Sequence, residues 1–177
     1  MGLSTGFLQL STELDKVGLI WHPEIGDEVV VGFMNNDPNQ PVVLGMLHSS
    51  KNAAPFTQES ANDKKGYVSR SEIKIIIDDG EKSITIETLG GNIFKMNDTE
   101  NKITLVDSNS NKITMEQAGV TIESASVLTL KAGSSLSISA PQLSMKADGE
   151  LTVEGGGSTT VKSSGALTIQ GSIVSIN

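Results

Sequence analysis

The chain has 177 residues, of which 37% are hydrophobic and only 3% aromatic; it has no cysteine and a net charge of −8. Without cysteine there is no disulfide scaffold, no cysteine-ligated zinc or iron–sulfur site and no cysteine nucleophile, and the acidic balance disfavours nucleic acid or an anionic membrane as a partner. No apolar run approaches the roughly 20 residues that a spanning helix needs.

From the N-terminus, the first residues have neither the basic start nor the apolar core of a secretory signal, and Gly6 stands where a myristoylation motif beginning at Met1-Gly2 requires Ser or Thr. Apolar runs then fall at 17–21, 29–33 and 42–47, separated by His22-Pro23-Glu24-Ile25-Gly26-Asp27 and by the segment from Asn35 to Pro41. Short β-rich runs between Gly, Pro, Asn and Asp clusters read as strands joined by tight turns, hence a small β-barrel or sandwich. Residues 57–66 have no apolar periodicity and read as a linker, which places a domain boundary near residue 58. A strand is expected over Ile73–Ile77, with a turn at Asp78-Asp79-Gly80.

Beyond that turn one pattern repeats to the end of the sequence: apolar, any, apolar, then small or polar residues. It begins at Ile84-Thr85-Ile86 and ends at Val174-Ser175-Ile176, and successive units start 10, 9, 10, 7, 8, 8, 7, 8, 8, 8 and 7 residues apart. Apolar residues two apart share one face of a strand, with the Thr, Ser or Lys between them on the other. Helix is excluded, because no 3.6-residue stripe fits and β-branched residues, Ser and Thr fill the units. Each unit is one strand plus one corner, too small to fold alone, so the units must stack. In a monomeric solenoid with three faces the corners recur at about 24 residues, whereas a three-chain β-helix has the single-strand period. The eight-residue period, without a 24-residue super-period, favours the three-chain form, with a monomeric solenoid as its competitor. Stacked at roughly 4.8 Å per strand, twelve units make a rod on the order of 55 to 60 Å long. The aromatic residues are Phe7, Trp21, Phe33, Phe56, Tyr67 and Phe94, so the repeats after Phe94, which lies in the second repeat unit, hold no ring. A thin core shared by three chains holds medium aliphatic side chains and would be overfilled by rings.

Gly26-Asp27-Glu28-Val29-Val30-Val31-Gly32-Phe33, then Asp37-Pro38, then Pro41-Val42-Val43-Leu44-Gly45, closely resembles the oligonucleotide/oligosaccharide-binding (OB) domain of contractile-injection spike proteins. That family comprises the valine-glycine-repeat (VgrG) spikes of type VI secretion, the central spikes of phage baseplates and the spikes of phage-tail-like particles. The resemblance extends from about residue 17 to the end, because such an OB domain leads through a neck into a trimeric β-helix. Asn35-Asn36 stand before the Asp-Pro turn where relatives commonly have Gly, and Asn tolerates the positive φ required there. The resemblance implies an all-β chain: an OB-like base over 1–58, a linker and neck over 59–83, and an intertwined three-chain needle over 84–177; only 25 residues precede Gly26, few for the opening strands, which leaves open a truncated base or a partial barrel completed by trimer contacts.

It further implies a homotrimer that punctures the target cell membrane mechanically, with hub and tube or baseplate proteins upstream. Such a spike is assembled in the bacterial cytoplasm and works in an extracellular or secreted particle. Ile173, Val174 and Ile176, at the apolar end of the repeats, are the expected platform for a PAAR-type tip protein or effector. His22 and His48 are the only histidines, so neither a Ser-His-Asp arrangement nor the His-x-His iron tip of some spikes can be assembled in the repeats. The carboxylates at Asp78-Asp79, Asp98, Glu100, Asp107 and Glu116 sit where turn propensity explains them, and Asp78-Asp79-Gly80 lacks EF-hand spacing. Neither catalysis nor a cofactor or metal is expected, and the OB-like base lacks the basic, aromatic-lined groove that binds nucleic acid. The competing functional class is a glycan-binding or glycan-cleaving solenoid of the tailspike kind.

Overall fold

The computed structural model describes residues 6–7, 22–57 and 59–176. Among them regular structure is strands and one 3₁₀ turn, as the β-branched residues and turn clusters require. The expected strand over 17–21 lies outside the described residues.

In the base, β1 (Gly6–Phe7), β2 (Glu28–Phe33) and β3 (Pro41–Leu47) form one sheet in the order β1-β3-β2. β2 and β3 are antiparallel, from Glu28 opposite Leu47 to Phe33 opposite Pro41, with a bulge between Val30 and Val31, while β1 runs parallel to β3. The 3₁₀ turn Met34–Asn36 joins β2 to the Asp-Pro turn, and Asn35 and Asn36 both have positive φ, 52° and 57°.

A second sheet has seven antiparallel strands in simple chain order: β4 (Lys64–Val68), β5 (Lys74–Asp78), β6 (Ser83–Glu87), β7 (Ile93–Asn97), β8 (Lys102–Val106), β9 (Lys112–Glu116) and β10 (Gly119–Glu123). β5 is the strand expected over 73–77, and β6 to β10 coincide with the first five repeat units. β4 corrects the linker reading of 57–66. It is an edge strand, Lys64-Lys65-Gly66-Tyr67-Val68, whose first three residues lie in that segment and carry no large apolar side chain, and it is held by its ladder to β5. Gly66 is required there, since a Cβ would lie 2.1 Å from the Ile75 carbonyl oxygen.

The hairpins explain why the early spacing is 10 and 9 rather than 8. Ser69, Thr88 and Asp107, each 19 residues after the last, open the turns at one end of the sheet. In each, a side-chain oxygen accepts the backbone N–H four residues on, at 3.0, 3.3 and 2.9 Å. The same residue's carbonyl accepts the N–H three residues on, where Glu72, Gly91 and Ser110 have positive φ. At the other end Asp78 and Asn97, again 19 apart, accept the Glu81 and Glu100 N–H groups at 2.9 Å. The early units are therefore in-chain hairpins with a 19-residue double step. The handing of strands from face to face, expected of every unit from residue 84, does not apply to β6–β10.

The chain divides into two units, Met1–Thr129 and Leu130–Asn177. The units from Leu128 to Ile176 enter no strand ladder with the described residues, but bends recur at 125–126, 133–134, 141–142, 148–149, 156–157, 164–165 and 172–173. These are the corners of the eight-residue repeat, with straight chain between them.

Candidate assembly surface

In an antiparallel ladder, directly opposed residues project from the same face. The register places Ile75 and Ile77 opposite Ile86 and Ile84, which oppose Phe94 and Met96 in turn. The ladder continues through Leu105 and Ile103, Ile113 and Met115, and Ile122 and Val120. Tyr67 and Lys65 of β4 head the same two columns opposite Ile75 and Ile77, a contribution hidden by the linker-like composition. The result is one face that is apolar and two side chains wide over β5–β10 and is extended on β4 by Tyr67 and Lys65.

The opposite face is mainly polar, with Ile76, Ile93 and Val106 among its residues, and is better covered. Ser83 and Asn97, opposed to each other, and Thr114 are its buried residues. Lys74–Glu87 and Lys102–Glu116 pairs span adjacent strands at 3.6 and 3.4 Å, and Lys95 meets Glu81 at 3.2 Å. A one-sided sheet normally covers its apolar face and leaves the polar one to water. Here Ile75, Ile77, Ile86, Leu105, Met115 and Val120 are all exposed, and no hydrophobic residue among those described is buried. The chain exposes 15737 Å², against about 8,200 Å² for a folded monomer of its mass. The same imbalance holds within the second unit, where Leu136, Ile138, Leu143, Met145, Leu151 and Val153 are each more than half exposed. Both units thus leave their apolar side chains exposed among the described residues.

The base motif forms the expected turns. Gly26 has φ +105°, and Asp27 closes the turn by accepting the Glu24 N–H at 2.8 Å. Glu28, Val29 and Phe33 lie in β2, and Pro41 and Gly45 in β3 with Gly45 opposite Val30. Asp37 accepts the Asn39 N–H at 2.9 Å and the Gln40 Nε2 at 3.2 Å, with Pro38 following it in the turn. These hydrogen bonds, led by the Asn39 backbone N–H, hold the Asp37 carboxyl below its ordinary pKa. The motif residues therefore build turns and a strand pair. Arg70, in the first turn of the large sheet, reaches Glu24 of the base at 3.0 Å.

His48 lines a groove of about 280 Å³ with Phe56, Glu59, Asp63 and Lys64. No group of three or more His, Asp or Glu side chains suited to a metal occurs among the described residues. Ile173 and Ile176 are 85% and 87% exposed and Val174 is 51% exposed, outside any strand of the chain. What the sequence reading missed is the Asn92 and Asn111 pair that ends two hairpin turns: Asn92 Oδ1 accepts the Ser108 N–H at 3.4 Å and Asn111 Oδ1 the Ala125 N–H at 3.0 Å, tying each turn to the next. Their 19-residue spacing was the available signal.

Residues 8–48 match the family model of the type VI secretion system/phage-baseplate injector OB domain, and residues 83–152 match that of the phage baseplate V C-terminal trimerisation domain. Among curated proteins, the chain is 43% identical over 42 residues to the actin cross-linking toxin VgrG1 of Vibrio cholerae, which is 24% of this chain and 4% of that protein. It is 44% identical over 41 residues to the type VI secretion system spike protein VgrG5 of Pseudomonas aeruginosa, 23% of this chain and 5% of that one. With VgrG1c of the same organism it shares 33% identity over 54 residues, 30% and 7% of the respective chains. The matched stretches thus span less than a tenth of each of these relatives.

Proposed function

The chain belongs to the VgrG and phage-baseplate spike family, and on that premise we propose that it is the structural, membrane-puncturing part of a contractile injection machine and works as a homotrimer. The observation that carries this reading is the bare apolar face of the seven-stranded sheet, continued by exposed apolar pairs to Ile176. Three such faces, each two side chains wide, close around a three-fold axis into a core of Ile, Leu, Val and Met, with Phe94 at the middle of each sheet. A sheet facing two others in this way buries what a lone chain leaves in water, at about 25 cal/mol per Å² of apolar area.

The role is mechanical. Strand ladders along the needle and a closed core resist compression, so force from a contracting tube passes through the base, residues 1–58, into the needle, residues 84–177. The Lys, Glu, Ser and Thr face turns outward and stays wetted. Ile173, Val174 and Ile176 form the platform that carries a PAAR-type tip protein or effector, and hub and tube or baseplate proteins engage the base. The trimer assembles in the bacterial cytoplasm and acts in a secreted or extracellular particle.

Detergent resistance tests this reading. Unravelling the assembly requires parting three interwoven chains, so an unboiled sample in dodecyl sulfate migrates at about three times 18.6 kDa. Migration at the single-chain mass without heating contradicts it.

A further inference from the structure

An aspartate or asparagine side chain rearranges without any enzyme when the backbone nitrogen of the next residue attacks its side-chain carbonyl carbon. A glycine in that next place hinders the attack least, having no Cβ and the widest choice of backbone angles. Asp-Gly steps occur at Asp79-Gly80 and Asp148-Gly149, and the chain has no Asn-Gly step.

The two steps have different surroundings. Asp79-Gly80 lies in the tight turn between β5 and β6, where the Asp79 N–H donates to the Asp63 carbonyl at 3.0 Å and the Asp79 carboxylate is held by Lys65. A Cβ on Gly80 would lie 3.1 Å from Asp63 Oδ2 and 3.3 Å from Asp78 Oδ1, so the turn has little room to rearrange. Other steps are restrained through the attacking nitrogen itself. After Asn97, Asp107 and Asn109, the N–H groups of Asp98, Ser108 and Ser110 donate to the Lys82 carbonyl, Asn92 Oδ1 and the Asp107 carbonyl. After Asp37 comes Pro38, which has no N–H.

Asp148-Gly149 lacks all of these restraints. It forms the bend at 148–149, outside every strand ladder among the described residues. A Cβ on Gly149 would meet nothing within 4 Å, and the Gly149 N–H has no hydrogen-bond acceptor among the described residues. The Asp148 side chain is 92% exposed, and its ion pair with Lys146 at 3.0 Å joins it to a side chain that is itself 83% exposed. Such a pair holds a carboxylate only weakly.

We propose that Asp148-Gly149 is a site of spontaneous aspartate isomerisation. The Gly149 nitrogen attacks Cγ of the protonated Asp148 carboxyl and forms a C–N bond; the nitrogen gives up its proton, and a carboxyl oxygen leaves as water, closing a succinimide ring. Water then adds to one of the two ring carbonyls. Addition at Cγ breaks the new bond and restores aspartate. Addition at the backbone carbonyl carbon breaks the original peptide bond, which leaves the chain joined through Cβ and Cγ as isoaspartate, with a carboxylate on Cα. One water is lost and one regained, so no other reactant is needed. The product has one more main-chain atom at the corner, which lengthens the step from Leu143-Ser144-Met145 to Leu151-Thr152-Val153.

Ageing the unaltered protein for weeks at neutral pH and 37 °C tests the proposal. Peptide mapping with electron-transfer fragmentation distinguishes isoaspartate from aspartate although their masses are equal, and methyl transfer by an isoaspartyl methyltransferase counts the modified sites. Isoaspartate is expected to accumulate at 148 several times faster than at 79 in the folded protein, and at similar rates at both in urea. G149A, which the open space accommodates, slows the reaction at 148 several-fold, and D148E, which would need a larger ring, abolishes it and serves where G149A alters the fold. Absence of isoaspartate at 148, or equal rates at 148 and 79 in the folded protein, overturns the proposal. So does a difference that persists unchanged in urea, because the fold is then not its cause. A single-chain sedimentation mass would overturn the trimeric reading and leave this site standing.

Discussion

Asp107 and Asn111 are joined by two hydrogen bonds across one hairpin turn, from the Asn111 N–H to Asp107 Oδ1 at 2.9 Å and from Asn111 Nδ2 to Asp107 Oδ2 at 2.7 Å. The second bond turns the Asn111 amide so that its oxygen faces the corner at Ser124 and Ala125. One carboxylate thereby organises both the last hairpin of the β8–β9 end and the place where the chain leaves the sheet. N111A removes the clasp and leaves the Ala125 N–H without its acceptor, at a cost of about 1–3 kcal/mol, read as a lower melting temperature.

The same carboxylate predicts an acid limit. The Asn111 side chain, and then its backbone N–H, hold the Asp107 pKa below the usual 3.8. A depressed pKa in the folded state contributes stability above the ordinary value, and that contribution is lost as pH falls through the folded value. D107N therefore melts below the unaltered protein at neutral pH, and the two curves converge below about pH 3.8. A gap that stays constant down to pH 2 contradicts the assignment.

On the apolar face, Phe94 stands between Ile86 and Leu105 at the middle of the seven strands. F94D places a charge in the shared core, where an unpaired carboxylate costs several kcal/mol, and it is expected to yield single chains by light scattering. T104D, on the polar face of the neighbouring strand, keeps the oligomer. Equal behaviour of the two variants means that the apolar face is not the assembly surface.

Much of this architecture is legible in the residue order, and the exceptions have identifiable causes. The apolar pairs of β6–β10 fall at the repeat positions because alternation over two residues requires a strand. The positive φ at Asn35 and Asn36 follows from the side chain that tolerates it. β4 escapes notice because its first three residues, Lys64, Lys65 and Gly66, show no apolar alternation. The first hairpins were marked by spacings of 10, 9 and 10, but the β9–β10 hairpin has a step of 7, which the later units share. The meaning of these spacings depends on which carbonyl each turn residue meets, and pattern alone does not supply that. The tip residues Ile173, Val174 and Ile176 are readable as apolar, but their role depends on a partner chain.

Gly66 gives a further prediction. G66A forces a Cβ against the Ile75 carbonyl oxygen, and because backbone lies there the strand must move, costing about 1–3 kcal/mol. β4 then loosens from β5, and limited trypsin digestion cuts after Lys64 or Lys65 at least several times faster than in the unaltered protein. Unchanged cleavage means that the edge tolerates the side chain.

At the far end, deletion of residues 173–177 is expected to abolish capture of a PAAR-type protein while leaving the trimer and its melting temperature essentially unchanged. Loss of the trimer in this variant would show instead that these residues serve assembly.

The central claim is that a chain with no buried hydrophobic residue among those described completes its core by joining two identical chains. Sedimentation equilibrium on the unaltered protein at micromolar concentration tests it most directly. A single species of about three times 18.6 kDa, unchanged on dilution, is predicted; a stable species of 18.6 kDa contradicts the account.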